Sequence, residues 1–356
     1  MIVEEPVHRL RFAYFRAYAL GGLTLPVPEI ELGEVAAGVE AFVSRDLDVR
    51  CFDADRALAI AELFLNGLFS PDQLPAAPDR IRQVVERNVL ERRQRHAQGP
   101  FLLLVAQGEA LNVAAAEDLR QIEGMCVGFD AVDKDEIRRR FEETEKATLA
   151  SIALNLPTLV SIQSVVDQIV VYRSDEQPIF SYTLKMGTAR LRANHSVPVE
   201  QFALVARQAA ILPRKPDIAR VRHLLLRSLS NDGDRLRAFL AAWTGLEILV
   251  NKLFTHCETA LFEELARARP DPVPQYLKQI QGVMSGRYRL KDKFIVVSAS
   301  LDPDHAGADL TEFEMLKKLR DGLSHGDEVG DDALPLEATV AILRKYLALH
   351  VNANAA

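Results

Sequence analysis

The sequence lacks most of the features that would assign a class outright. Its longest apolar runs, FLLLVA from Phe101 to Ala106 and AFLAAW from Ala238 to Trp243, fall far short of the roughly 20 residues that cross a bilayer, so no membrane-spanning helix and no membrane partner are expected. The first residues, MIVEEPVHRLRF, place acids early and lack an apolar core with a cleavage site, which points to the cytoplasm rather than to secretion. Cysteine is scarce: Cys51, Cys126 and Cys257 are widely separated, which supports neither a disulfide framework nor a zinc knuckle, and all three read as reduced core residues. A surplus of positive charge is also missing. With 43 Lys and Arg against 50 Asp and Glu, the net charge of −7 argues against a generic nucleic-acid coat but leaves room for a small basic cleft. There is no internal repeat, phosphate-cradling glycine loop, metalloprotease helix or nucleophile elbow. No metal or other cofactor is implied: His223 and His256 have no acids at ligand spacing, and His305, beside Asp302, Asp304 and Asp309, reads as a chance cluster.

What is present suits a two-domain globular chain: 356 residues, of which 48% are hydrophobic and 26% charged. In the first half, residues 27–43 (VPEIELGEVAAGVEAFV) and 53–69 (DADRALAIAELFLNGLF) repeat apolar residues at three and four, which predicts two amphipathic helices. A further helix is expected from Pro78 to Gly99, a buried strand over FLLLVAQG, and a long charged helix near residues 133–156. The β-branched and aromatic segments QIVVYRSD and PIFSYTLKMGTARLRA, separated by turn residues, predict a hairpin. Beyond residue 196 the strand signals fade, so the expected fold is an N-terminal α/β or α+β domain over 1–196 followed by an all-α bundle over 197–356.

The second half reads as a succession of helices. Phe239, Trp243, Leu246, Val250, Leu253 and Cys257 step by four and three, which marks the core stripe of one long helix. Shorter helices are expected over FEELARAR, VPQYLKQIQGVM and LKDKFIVVSASL, with two more over DLTEFEMLKKLRDGL and LPLEATVAILRKYLALHV, the last with a stripe of Leu336, Val340, Leu343 and Leu347.

The chemistry-bearing stretch is FEMLKKLRDGLSHGDEV, Phe313 to Val329. Phe313, Leu316, Arg320 and Leu323 share one helix face, so Arg320 projects from an apolar stripe and needs an anionic or carbonyl partner. His325 follows five residues later; on a continuous helix the two lie about 140° apart, whereas a bend or end at Gly322 or Gly326 lets them converge. Glu247 lies at the margin of the upstream stripe, placed to pair with Arg320, to orient His325, or simply to anchor the helix through an ion pair. Arg287, Arg289, Lys291 and Lys293 alternate in GRYRLKDKF, a solvated face or an RNA-backbone contact, with Lys317 as a further candidate cation.

Arg320, Asp321 and His325 match the signature of HEPN domains: an Arg, a polar residue, three variable residues and a His. Together with Gly326 and the upstream WTGLEILV, which holds Trp243 and Glu247, the chain resembles the Apea-like branch over roughly residues 200 to 350. The pattern alone is not specific, since Arg190 and His195 share the same offset at the end of a predicted strand. The resemblance implies a helical bundle and a metal-independent endoribonuclease site composed across a two-fold homodimer. In that reading His325 is the acid or base, Arg320 the phosphate clamp and Asp321, where the pattern most often has Asn, a positioning group, with Ser324 in support. It also implies RNA, tRNA among the candidates, as partner, and a bacterial antiviral-defence or toxin effector. The alternative is a non-catalytic HEPN module that binds a nucleotide or RNA, or serves dimerisation. The first domain names no chemistry. Tyr172, Arg173, Tyr182, Lys185 and Arg190 on its hairpin suit RNA or a protein trigger, phage-derived in the defence reading, and a plain scaffold equally. The acidic Asp327, Glu328, Asp331 and Asp332 after His325 would repel an RNA backbone unless they face away.

Overall fold

A computed structural model describes residues 11–45, 100–109, 133–156, 158–172, 178–186, 195–230, 234–267, 269–284 and 286–353. The chain divides into two compact units, Met1–Ile152 with Thr158–Pro213, and Ala153–Pro157 with Arg214–Ala356. The helices expected over 53–69 and 78–99, together with Cys51, Cys126, Arg173 and Arg190, lie outside the described residues.

The first unit is built on an antiparallel sheet. Its strands are β1 (Arg11–Gly21), β3 (Glu29–Ala36), β4 (Val39–Ser44), β5 (Phe101–Glu109), β6 (Ser161–Tyr172) and β7 (Pro178–Met186), in the order β3-β4-β5-β1-β6-β7. Short β2 (Leu23–Thr24) and β8 (His195–Ser196) pair in parallel beside it. The 22-residue helix α1 (Lys134–Asn155) covers one face. Because side chains alternate along a strand, Ala13, Phe15, Ala17 and Ala19 of β1 join Phe42, Phe101, Leu103, Val105 and Val165 in one apolar layer, while Phe12 and Tyr14 face Phe141 of α1. The buried strand over FLLLVAQG, the charged helix and the β6–β7 hairpin match the sequence reading.

Residues 27–43 do not. They form the β3–β4 hairpin instead of a helix, turning through Ala37 and Gly38. Gly33 (φ 78°) and Gly38 (φ 71°) hold left-handed backbone, which glycine adopts without strain and which ends a right-handed helix. The expected division at residue 196 also falls one helix early. Helix α2 (Val199–Ile211) buries Phe202, Val205 and Ala209, receives the Ser151 hydroxyl on its Val205 carbonyl and packs against β3, so it belongs with the sheet unit.

The second unit is helical: α3 (Ala219–Leu229), α4 (Arg235–Arg267), α5 (Val273–Met284), α6 (Leu290–Leu301), α7 (Ala306–Ser324) and α8 (Leu336–Ala353). The chain is thus an antiparallel sheet unit followed by a helical unit. FEELARAR is not a separate helix but the end of the 33-residue α4, since no breaker stands between Cys257 and Arg267. All six stripe residues of α4 are buried. An aromatic stack ties four helices together: Trp243 of α4 lies 5.4 Å from Phe313 of α7, Phe313 stacks on Phe294 of α6 at 4.1 Å, and Phe294 meets Tyr346 of α8 edge-on at 5.1 Å. Such pairs contribute about 0.5–1.5 kcal/mol each beyond their buried area. The stack holds α7 against α4, and so presents Arg320 beside Glu247.

Candidate functional site

The last turns of α7 carry the candidate residues Arg320, Asp321, Ser324 and His325. Arg320 sits one and two turns beyond the buried Leu316 and Phe313, so its stem follows the apolar stripe and its guanidinium emerges at the edge of the core. There Nη2 meets Oε2 of Glu247 at 3.3 Å, Nη1 meets Oδ1 of Asp321 at 3.0 Å, and Cζ stands 5.9 Å above the Trp243 ring. A guanidinium over an indole within about 6 Å is attracted by the ring quadrupole. Of the roles open to Glu247, the structure realises the pairing with Arg320.

Asp321 accepts a second hydrogen bond, from Nζ of Lys317 one turn earlier. The Lys317 ammonium, and after it Arg320, hold the Asp321 carboxyl below the usual carboxylate range. Lys317 is therefore an internal counter-ion to Asp321.

His325 caps the helix, and the chain reverses immediately after it. Gly326 adopts φ 96°; its N–H reaches the Leu323 carbonyl at 3.2 Å, and the Asp327 N–H reaches the Gly322 carbonyl at 3.0 Å. These two bonds are the Schellman pattern, which needs a residue without Cβ at the left-handed position. The backbone stays helical through Gly322, so the bend that would bring Arg320 and His325 together within one chain does not occur. Five residues of helix separate them by about 140° and 7.5 Å of rise. The His325 side chain is exposed, with no hydrogen bond or ion pair among the described residues. Ser324, itself exposed, donates back along the helix to the Arg320 carbonyl at 3.0 Å. Gly322 leaves room for the Asp327 carboxylate, against which a Cβ there would collide. Asp327, Glu328, Asp331 and Asp332 are all exposed.

The basic run ahead of α6 is partly spoken for. Lys291 pairs with Glu314, Lys293 donates to the Asn251 side chain at 2.8 Å, and the Arg289 backbone N–H is taken by Asp292 at 2.9 Å; Arg287 is exposed. Away from the signature, His305 pairs with Asp302 at 2.9 Å, and Lys345 bridges Asp302 and Asp309, each at 2.7 Å. Among the described residues, no group of three or more His, Cys, Asp or Glu could hold a metal ion.

One polar cluster escaped the sequence reading altogether. In the sheet unit, Arg16 of β1 contacts Glu145, Tyr18 and Asp167, and Arg138 of α1 reaches the same Asp167 at 2.6 Å. Burial, and then the Glu145 charge, pushes the Tyr18 hydroxyl well above its ordinary range. The alternation of Tyr14, Arg16 and Tyr18 in an otherwise apolar strand was the available signal.

No family model, curated protein or solved structure matches this chain.

Proposed function

We propose that the helical unit is a HEPN-type, metal-independent endoribonuclease acting as a two-fold homodimer. One observation carries the reading: a guanidinium anchored on α7 by Glu247, Asp321 and Trp243, followed five residues later by an exposed, unpaired histidine at the helix end. In this mechanism the ribose 2′-hydroxyl attacks the adjacent phosphorus. One imidazole takes its proton, Arg320 neutralises the phosphorane oxygens, and a second imidazole protonates the leaving 5′-oxygen, giving a 2′,3′-cyclic phosphate and a free 5′-hydroxyl. Histidine suits both transfers because its ordinary pKa is near 6.5, and arginine suits bidentate contact with phosphate oxygens. Because Arg320 and His325 diverge on one helix, a second copy supplies the complementary pair: Arg320 of one protomer works with the partner's His325. RNA, with tRNA among the substrates, and a defence or toxin role belong to the same proposal.

The test is incubation of wild type, His325→Ala and Arg320→Ala with tRNA and a structured RNA in chelator. Cleavage by wild type alone, leaving cyclic phosphate ends, is the expected result; equal cleavage by the variants ends the reading. A non-catalytic RNA- or nucleotide-binding module is the second reading. It is favoured by the two carboxylates that already face Arg320, and it predicts RNA binding without cleavage and no toxicity on expression.

A further inference from the structure

Helix α3 presents cations without counter-ions. Its inward face buries Val221, Arg222, Leu225, Ser228 and Leu229. The opposite face carries Arg220, His223 and Arg227, all exposed, at the three-and-four spacing that aligns them in one stripe, and exposed Arg214 precedes the helix. None of these four side chains makes a hydrogen bond or ion pair among the described residues. Some other cations of this unit are answered: Arg235 by Glu337 at 2.6 Å, Arg237 by Asp234 at 2.9 Å, and Lys291 by Glu314.

We infer that the α3 stripe of Arg220, His223 and Arg227, with Arg214, is a binding surface for the phosphate backbone of a single-stranded or looped RNA. A row of unpaired arginines in a chain of net charge −7 is a local positive field, which a polyanion meets without displacing an internal partner. Neighbouring stripe residues are about 5–6 Å apart at Cβ, the scale on which successive phosphates of an extended strand recur. A membrane surface fits less well, because helices that lie on bilayers turn large apolar residues outward beside their cations, whereas Leu225 and Leu229 of α3 point into the core.

The stripe is separate from the signature residues. A Cβ on Gly245 of α4 would meet Leu224 of α3 at 3.4 Å, while Glu247, two residues on and about 200° round the helix, faces Arg320. Hence α3 and α7 pack on different sides of α4, and one RNA contacts them with different segments. The inference takes its choice of RNA from the ribonuclease reading, but binding at the stripe does not require cleavage.

The experiment measures binding of a labelled single-stranded RNA and a hairpin RNA to the full-length His325→Ala protein across a salt series, with and without Arg220→Gln/Arg227→Gln. The expected result is several-fold to tenfold weaker binding in the stripe variant at low salt. The slope of log affinity against log salt should also flatten by about 1 to 1.5, because each lost phosphate contact removes roughly 0.7 for a single strand. The melting temperature should not move. Unchanged affinity and slope, no RNA binding at all, or a stripe variant that loses only its binding to phosphatidylserine vesicles overturns the inference. Wild type that binds through the stripe but never cleaves retains the inference and ends the ribonuclease reading; cleavage with stripe-independent binding does the reverse.

Discussion

Arg320 on α7 and Glu247 on α4, 73 residues apart in sequence, meet at 3.3 Å on the rim of the aromatic core. Their side chains are 34% and 36% exposed, so water screens the pair, and exposed pairs of this kind contribute about 0–1 kcal/mol. The contact therefore aims the guanidinium more than it stabilises the fold.

Glu247→Gln should accordingly cost less than about 1 kcal/mol in a urea unfolding curve. The amide still accepts one hydrogen bond but no longer competes with phosphate for the charge, so RNA affinity should rise. A loss of several kcal/mol would show instead that the pair is a structural anchor.

Gly326→Ala should destabilise by about 1–2 kcal/mol, because its φ of 96° is left-handed and alanine is strained there. Gly322→Ala should cost far less, because the atom that its Cβ meets belongs to the carboxylate of exposed Asp327, which swings aside, and alanine suits a helix better than glycine. Thermal melts of the two variants check this; a melting temperature for Gly322→Ala as low as that of Gly326→Ala would show that the Asp327 carboxylate is held in place.

Acid should weaken the helical unit through His350. Burial first, and then the Lys215 charge, lowers its pKa, so the folded state resists the proton that the unfolded chain accepts near pH 6.5. Stability from this group is complete above that pH and declines as pH falls below it. Urea midpoints at pH 7.5 and 5.5 should differ less in His350→Gln than in wild type.

In the sheet unit, Asp167→Ala should be severely destabilising, by about 3–5 kcal/mol, because it strips a buried charge from between Arg16 and Arg138. Its side chain is only 2% exposed. Chemical denaturation with a far-UV readout of the sheet measures the loss, and a change under 1 kcal/mol would mean that Glu145 alone suffices for Arg16.

Much of the helical unit was legible in the sequence. Residues 273–284 and 290–301 are helices over their full expected lengths, and the stripe from Phe239 to Cys257 is buried throughout, because a three-and-four repeat is a local property of the chain. The segment from Glu29 to Val43 misled because its apolar spacings of two, three and four suit either a helix or a glycine-kinked hairpin, and only pairing of β4 with β5 decides between them. Strand β1 showed only the short alternation of Tyr14, Arg16 and Tyr18, because residues on both of its faces are buried and most of them are apolar.

By itself, the sequence determined where most of the helices beyond Arg235 run, which residues form the apolar stripes of the long helix and of the last one, and that Arg320 and His325 stand five residues apart near a helix end. Tertiary structure alone decided which charges are free. The densest basic run, Arg287 to Lys293, gives Lys291 and Lys293 to partners on other helices, while the sparser Arg220, His223 and Arg227 emerge unpaired. Periodicity is set by bonds along the chain, but a counter-ion is set by whatever the fold brings alongside, and no local pattern records that.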